Sequence, residues 1–145
     1  MIEILVALLV LSVGLLGLAA LQTFGMRYNQ QSYQRTQAVF QVYDMVDRIR
    51  ANRTALAAGC YDGVAAAAKT ATGACAGAYV DCAANTCNSS QLANFDVNRW
   101  NTANENLLAQ GKGSIATAAY PSRRTITLSW IETDLPVQFV IEVDL

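Results

Sequence analysis

Residues 4–21 read ILVALLVLSVGLLGLAAL, an apolar stretch in which Ser12 is the only polar side chain. As an α-helix, this stretch would be about 27 Å long, close to the roughly 30 Å hydrocarbon core of a bilayer. It is apolar on every side, which suits lipid or a bundle of similar helices. A cleaved signal peptide is the competing interpretation, but the basic start and the small-x-small cleavage site of such a peptide are missing. We therefore expect an uncleaved membrane-spanning helix.

One charged side chain, Glu3, lies beside this stretch, and the next one along the chain is Arg27. A carboxylate next to an apolar span is costly unless it lies at the membrane interface or has a partner. Two roles therefore remain open for Glu3. It could lie at headgroup level near a helix N-terminus, where negative charge is favoured, or it could pair with a cation on another subunit.

The helix is expected to continue to about Arg53, because residues 26–53 contain neither proline nor glycine. Its second half carries an apolar stripe at helical spacing, which predicts packing on a domain. The stripe consists of Val39, Val42, Val46 and Ile49. We expect three consecutive parts: a hydrophobic transmembrane helix at 1–26, its amphipathic continuation at 27–53, and a head domain at 54–145.

All four cysteines, Cys60, Cys75, Cys82 and Cys87, lie in the loop region 54–95, which is rich in small and polar residues. The region has no CxxC motif, and the chain has no histidine, so zinc and thioredoxin-like redox sites are disfavoured. An even number of cysteines beyond a membrane helix indicates two disulfides formed in an oxidising compartment. Four cysteines permit three pairings, of which we favour Cys60–Cys75 with Cys82–Cys87.

The remainder of the chain predicts a short helix at 96–110 followed by a β-meander at 113–145. Asp96 has the chemistry of an N-cap, and Gly111 is expected to end the helix in the left-handed conformation. Trp100 is interpreted as a core anchor. Strands are expected at 114–119, 124–131 and 137–144, with residues 132–136 joining the last two. The predicted fold class is α+β, with the long N-terminal helix packed on a C-terminal antiparallel sheet.

Composition disfavours several classes of function for these 145 residues, which carry a net charge of −1 and no histidine. Histidine-based metal sites and Ser–His or Cys–His catalytic pairs are impossible, and clustered Lys and Arg for nucleic acid are missing. Asp62, Asp81 and Asp96 lack calcium-loop spacing. Arg123 and Arg124 are interpreted as a solvated strand edge. We predict no catalytic residue, no metal, no cofactor and no direct contact with nucleic acid.

The sequence resembles a mature type IV pilin that lacks its first two residues. This resemblance rests on MIEILVALLVLSVGLLGLA at residues 1–19. The segment YDMVDRIRAN at 43–52 resembles the PilV branch, the minor pilin called type IV pilus modification protein. Trp100, GKGSI at 111–115 and TITLSW at 125–130 are similar to that branch as well. The resemblance covers both ends of the chain and leaves residues 54–95 unmatched.

The resemblance implies that Glu3 recruits the subunit and sets its register against the N-terminal amine of a neighbour. It also implies that the apolar helix serves as membrane anchor and fibre core, through Ile4, Leu5, Leu8, Leu9, Leu11, Leu15, Leu16 and Leu18. Removal of a short leader by prepilin peptidase and methylation of the new N-terminus are implied too. The leader, its cleavage-site glycine and the following aromatic residue are missing from the given sequence, so we expect Met1 to be a boundary rather than the biological start.

The expected function is that of a structural subunit without catalysis. The resemblance implies a minor pilin held in the inner membrane of a Gram-negative bacterium, with a periplasmic head, and later part of an extracellular pilus. Its implied partners are other minor pilins and the major pilin, through the N-terminal helix, and a large tip adhesin above a priming complex. Adhesion, twitching motility and DNA uptake are open roles. Two alternatives remain: a type II secretion pseudopilin, and a membrane-anchored periplasmic binding or enzymatic domain that acts as a monomer.

Overall fold

The computed structural model describes residues 1–117 and 123–145. Its elements are the helices α1 (Ile2–Ala51), α2 (Arg53–Ala57) and α3 (Ser89–Leu107), a 3₁₀ turn (Gly73–Cys75), and the strands β1 (Lys112–Thr117), β2 (Arg123–Glu132) and β3 (Leu135–Asp144). The chain divides into two compact units, Met1–Arg35 and Thr36–Leu145. The long N-terminal helix and the antiparallel sheet confirm the predicted α+β class.

The last four turns of α1 belong to the second unit and contribute one side of its core. Their buried side chains are Ala38, Val42, Met45, Val46 and Ile49. The spacing of four, three and four residues from 38 through 42 and 45 to 49 keeps these side chains on one face. Val39, a member of the predicted stripe, is only half-buried, because the buried face is rotated slightly towards Met45.

A hydrophobic core joins the end of α1 to α3 and the sheet. It includes Val42, Ile49, Val97, Trp100, Ile115, Ile126, Leu128 and Trp130. Trp100 is 1 % exposed, and its indole Nε1 donates a hydrogen bond to the backbone oxygen of Gln41 at 2.8 Å. Its position is that of the core anchor that the sequence suggested.

Helix α3 begins well before Asp96, so the predicted N-cap is wrong. The cap is Asn88, whose side chain accepts a hydrogen bond from the Gln91 backbone N–H at 2.9 Å. The Gln91 side chain in turn accepts from the Asn88 N–H at 3.0 Å. This reciprocal capping box satisfies two otherwise unpaired N–H groups, and Asp96 lies in the interior of the helix.

The end of α3 also differs from the prediction. The helix stops at Leu107, and the residue with positive φ is Gln110, at 54°, rather than Gly111. Glycine is required at 111 for a different reason, because a Cβ there would lie 2.1 Å from the backbone oxygen of Asn104. Gly111 therefore permits a close backbone approach instead of a left-handed turn.

The strands form an antiparallel meander in the order β1-β2-β3. Ile126 of β2 lies opposite Ile115 of β1 and Ile141 of β3, which fixes the register of the inner face. The first predicted strand extended over residues 118 and 119, which lie outside the described residues. Within the described part, β1 starts at Lys112, two residues earlier than predicted.

The connection between β2 and β3 is shorter than predicted. Only Thr133 and Asp134 lie between the paired residues Glu132 and Leu135, with φ values of 51° and 64°. Positive φ at both central positions is the geometry of a type I′ turn, which matches the twist of the flanking strands. Pro136 was predicted to lie in the loop, but it belongs to β3.

Two disulfides cross-link the loop region. Cys60 is bonded to Cys75, and Cys82 to Cys87, the pairing favoured from the sequence. The first bond lies in the core, where both cysteines are buried, whereas both partners of the second are half-buried. The core disulfide thus joins the segment that follows α2 to the 3₁₀ turn.

Candidate assembly helix and buried polar network

The N-terminal part of α1 exposes apolar side chains on every side. All of residues 1–30 are exposed within the single chain. Leu16, for example, retains 71 % of its accessible surface. The most apolar 18-residue window has a mean hydropathy of 2.8, and none of it is buried. By length and composition, this helix can cross a membrane. Within residues 1–117 and 123–145, no side chain covers this apolar surface, so lipid or other proteins must remove it from water.

The predicted membrane and fibre-core residues all belong to this exposed surface. They occupy successive turns on several sides of α1, at Ile4, Leu5, Leu8, Leu9, Leu11, Leu15, Leu16 and Leu18. A helix that is apolar all round offers contact in every direction, unlike an amphipathic helix with one buried stripe. This surface suits a helix surrounded by several similar helices.

The serine and threonine side chains in this part of α1 are satisfied by their own helix. The Ser12 hydroxyl donates to the backbone oxygen of Leu9 at 2.8 Å, and the Thr23 hydroxyl donates to that of Ala19 at 3.0 Å. Such bonds to a preceding turn let hydroxyls enter an apolar environment without an outside partner. Neither Ser12 nor Thr23 therefore requires a neighbouring subunit.

Glu3 differs from these hydroxyls because it carries a charge. The next charged side chain along α1 is Arg27, about 36 Å away along the axis at 1.5 Å per residue. A carboxylate moved out of water in this position needs a cation from outside the helix. The chemistry of Glu3 is thus that of an anionic contact at one end of an apolar rod.

A polar network, buried at Asn52, Tyr61 and Asp96 and partly exposed at Arg48 and Asp44, ties the head domain to the end of α1. The Arg48 guanidinium donates to Asp44 at 2.7 Å and to Asp96 at 3.1 Å. The Tyr61 hydroxyl donates to the other carboxylate oxygen of Asp96 at 3.0 Å, and the Asn52 amide donates to the Tyr61 oxygen at 3.2 Å. The network therefore joins α1, α3 and the segment after α2.

Burial governs the ionisation of this network. Asp96 is 4 % exposed, and burial raises the pKa of its carboxyl even though Arg48 and Tyr61 donate hydrogen bonds to it. Arg48 is shared with Asp44, so its charge compensates only part of the cost of ionising Asp96. Burial, together with the charge of Asp96, also raises the pKa of Tyr61, which stays a neutral donor. Arg48, Tyr61 and Asp96 are thus positioned to hold α1, the segment after α2 and α3 together.

The raised pKa of Asp96 predicts how the stability of the head depends on pH. The folded state holds the Asp96 proton more tightly than the unfolded chain, so this group stabilises the fold fully below its ordinary pKa. That contribution is lost as the pH rises through the folded pKa. We compare the free energy of unfolding of the wild type with that of Asp96→Asn. The difference, wild type minus variant, should fall as the pH rises above about 4, by at most about 1.4 kcal/mol per pH unit.

Chemical denaturation of both proteins at a series of pH values measures this difference. The comparison cancels the carboxyl groups that both chains share, apart from Asp44, which pairs with the same Arg48. A difference that is constant over this range, or that rises with pH, would contradict the assignment of a raised pKa to Asp96.

The other carboxylates considered as metal ligands have separate partners. Asp62 pairs with Arg124 at 2.5 and 3.2 Å, and Asp81 accepts a hydrogen bond from the Ala83 N–H at 3.0 Å. Asp96 belongs to the network above. Across residues 1–117 and 123–145, no group of three or more potential metal-ligating side chains occurs. The structure therefore does not bring Asp62, Asp81 and Asp96 together.

The prediction of a solvated edge at Arg123 and Arg124 is correct only for the first of them. Arg123 is partly exposed and pairs with Asp144 at 3.2 Å and with Glu142 at 3.6 Å. Arg124 has a side chain only 8 % exposed, because it points inward to Asp62. In β2 the two residues face opposite sides of the sheet, so they cannot form one basic patch.

Three of the five residues of this network lie at helical spacing in the sequence. Asp44, Arg48 and Asn52 are each four residues apart, which places them on one face of a helix. Tyr61 and Asp96 come from segments with no periodic relation to that face. Only the tertiary fold brings them to Arg48.

Comparison with known proteins identifies one related family. A family model described as Tt1218-like, Type IV pilin Tt1218, matches residues 20–98, slightly more than half of the chain. No curated protein and no solved structure matches the chain. The matched range contains the whole buried network, whereas Glu3 and the β-meander lie outside it.

Proposed function

The chain belongs to the Tt1218-like family of type IV pilins, and on that premise we propose that it acts as a minor pilin that primes pilus assembly. Membership in this family implies assembly into a pilus together with other pilins. The proposal adds a place among minor pilins and a role at the start of assembly. It describes a structural subunit whose work is done by contacts between chains.

The observation that carries this proposal is the exposed apolar surface of α1 with one carboxylate at its end. Residues 4–21 contribute no burial within the chain, so their free energy of burial is available to an environment outside it. Lipid is that environment before assembly. The helices of other pilins replace lipid in the fibre, where close packing and a few polar contacts decide the arrangement.

Glu3 is proposed as the contact that sets the register between neighbouring helices. An all-round apolar helix can slide or rotate against similar helices at little cost, because its contacts are nearly equivalent. A single ion pair in a low-dielectric environment removes that degeneracy, because only one register satisfies the carboxylate. The N-terminal amine of an adjacent pilin is the proposed cation.

The head domain supports a location outside the cytoplasm. Two disulfides form in an oxidising compartment, which fits a periplasmic head on a single inner-membrane helix. The segments YDMVDRIRAN at 43–52 and TITLSW at 125–130, which resemble the PilV branch, support a place with other minor pilins at the tip, beneath a large adhesin.

The proposal predicts the outcome of exchanging the helix. Replacing residues 1–26 by an unrelated transmembrane anchor is expected to keep the protein in the membrane with a folded head, yet to abolish its incorporation into pili. A matched chimera that carries residues 1–26 of another pilin, with their glutamate, should retain incorporation. The measurement is the amount of protein in sheared pili relative to the amount in membranes.

Full incorporation with the unrelated anchor would contradict the proposal. It would favour the alternative of a periplasmic domain that acts as a monomer, since such a domain needs the helix only for attachment.

A further inference from the structure

Two charged side chains of the unit Met1–Arg35 define a span that matches a bilayer. No acidic or basic residue occurs between Glu3 and Arg27, and α1 is continuous over both. Their separation of about 36 Å along the axis exceeds the hydrocarbon core of about 30 Å and is less than the roughly 40–45 Å that includes the headgroups. A typical helix tilt of about 20° shortens this span only to about 34 Å. An inserted helix can therefore hold both charges at headgroup level.

The residues around Arg27 have the chemistry of a membrane–water interface. Residues 22–28 read QTFGMRY, in which polar and aromatic residues replace the uniform apolar run before them. Phe24 and Tyr28 are 56 % and 67 % exposed. Tyrosine, with an apolar ring and a polar hydroxyl, is enriched at headgroup level in membrane proteins. Because Phe24 precedes Arg27 by three residues and Tyr28 by four, the three side chains lie on one face of α1.

Arg27 has no acidic residue near it in its own helix. The acidic residues that precede and follow it in the chain are Glu3 and Asp44, far beyond the positions three and four residues away that meet on a helix. A guanidinium at headgroup level meets phosphate oxygens, to which it can donate two parallel hydrogen bonds. Phosphate is thus the complementary anion that a bilayer supplies at this depth.

We propose that Arg27, flanked by Phe24 and Tyr28, binds the phosphate groups of phospholipids on the side of the membrane where the head emerges, and thereby fixes the depth of α1 before assembly. This inference rests on the membrane stage of the proposed function. Arg27 opposes inward movement of the helix, because its charge would enter hydrocarbon. Phe24 opposes outward movement, because its ring would enter water.

The anchor also gives Glu3 a position before assembly. With Arg27 among the phosphates of one leaflet, the spacing places Glu3 at the headgroup level of the other leaflet. A carboxylate needs no protein partner there, and the N-terminus of a helix favours its charge. Pairing with an amine becomes necessary when the helix exchanges lipid for a fibre. The two roles that the sequence leaves open for Glu3 then belong to successive stages.

Lipid phosphate is favoured over a carboxylate of another pilin as the anion that Arg27 binds. A protein partner would leave the match between the charge spacing and the bilayer unexplained. It would also give no reason for aromatic side chains on both sides of Arg27 at this one depth.

Thiol labelling in vesicles measures the depth of the helix. The purified full chain is inserted at low density into phosphatidylethanolamine–phosphatidylglycerol vesicles, and Asn29→Cys is treated with a polyethylene-glycol maleimide that does not cross the bilayer. The four native cysteines are paired in disulfides, so the introduced thiol is the one that reacts. Adding Arg27→Leu should lower the labelling rate at least about fivefold, because the helix moves inward.

Arg27→Lys and Gln30→Leu are the matched controls, each combined with Asn29→Cys. Lysine keeps a cation at the same level, and Gln30→Leu adds the same apolar side chain without removing a charge. Labelling of both should stay within about twofold of the rate with Arg27 intact. Each rate is divided by the rate after the vesicles are dissolved in dodecyl sulfate, which cancels effects of neighbouring side chains on thiol reactivity.

Solid-state NMR identifies the anion. In vesicles washed with phosphate-free buffer, the phosphorus nuclei belong to lipid, so dipolar dephasing of an isotopically labelled guanidinium carbon by phosphorus reports contact with a headgroup. The wild type should show a dephased component that Arg27→Lys lacks. Free phosphate added to the buffer should not change this component.

Unchanged labelling in Arg27→Leu, or equal dephasing in the wild type and Arg27→Lys, would overturn the proposal. A change of depth that occurs only when other pilins share the membrane would overturn it too, because the partner would be a protein. A full chain that alkaline carbonate releases from the vesicles would contradict the membrane stage of the proposed function as well. Stable insertion with an unchanged depth in Arg27→Leu contradicts the anchor alone.

Discussion

Replacing Glu3 by alanine is expected to lower the incorporation of this protein into pili by on the order of a hundredfold or more. Removing one partner of a buried ion pair costs about 3–5 kcal/mol, because the remaining charge is left uncompensated in a low dielectric. In a helix with no other charge before Arg27, no second group can take over the contact. Glu3→Lys should be at least as severe, because it places a cation against the neighbour's amine.

Ser12→Ala is the matched control for Glu3→Ala. It also removes a polar group from the same helix, but among the described residues the Ser12 hydroxyl bonds to the backbone oxygen of Leu9 in its own turn. Incorporation of Ser12→Ala should therefore stay close to the wild-type level. Immunoblots of sheared pili, normalised to the membrane fraction, measure both variants.

Folding of the head must be monitored separately in these variants. Glu3 lies in the first unit, whereas the disulfides and the core lie in the second, so the disulfide pattern should not change. Wild-type incorporation of Glu3→Ala or Glu3→Lys would end the hypothesis that Glu3 sets the register, and would favour a location at headgroup level.

Patterns that act over a short range predicted most of this fold. Helix α1 follows from an apolar run without proline, and the meander follows from alternation along residues 137–144. The start of α3 was placed too late because Asn88 and Gln91 stand in a loop-like stretch, where a capping box is hard to distinguish from other polar residues. The turn at Thr133 and Asp134 was missed because neither is glycine, the usual residue at positive φ.

The two parts of the candidate site differ in how far the sequence reveals them. Glu3 is apparent from the sequence, because no other charged side chain occurs before Arg27. The buried network is not, because Asp96 carries the same local signals whether it caps a helix or lies inside one. Its role depends on Arg48, which reaches it across 48 positions of the chain. Local patterns contain no information about such a partner.

Gly113→Ala is expected to destabilise the head domain by about 3 kcal/mol or more, at the upper end of the usual cost of overpacking a core. A Cβ at this position would lie 2.4 Å from the Trp100 ring and 2.8 Å from the Asn101 side-chain oxygen. Neither group can move easily. Trp100 is held by its hydrogen bond to Gln41, and Asn101 bonds to both the N–H and the oxygen of Gly113.

Gly77→Ala is the matched control for this substitution, because a Cβ there meets its nearest neighbour at an ordinary 3.6 Å. Urea unfolding of the full chain in detergent, followed by circular dichroism, measures the difference. A double-mutant cycle identifies the cause: in a Trp100→Ala background the ring is gone, so adding Gly113→Ala should cost less than half as much. Equal costs in both backgrounds would show that the ring does not require glycine at 113. If Gly113→Ala and Gly77→Ala unfold at the same urea concentration, the backbone at position 113 must shift to accommodate the added Cβ. The contact between α3 and β1 would then be less rigid than its packing implies.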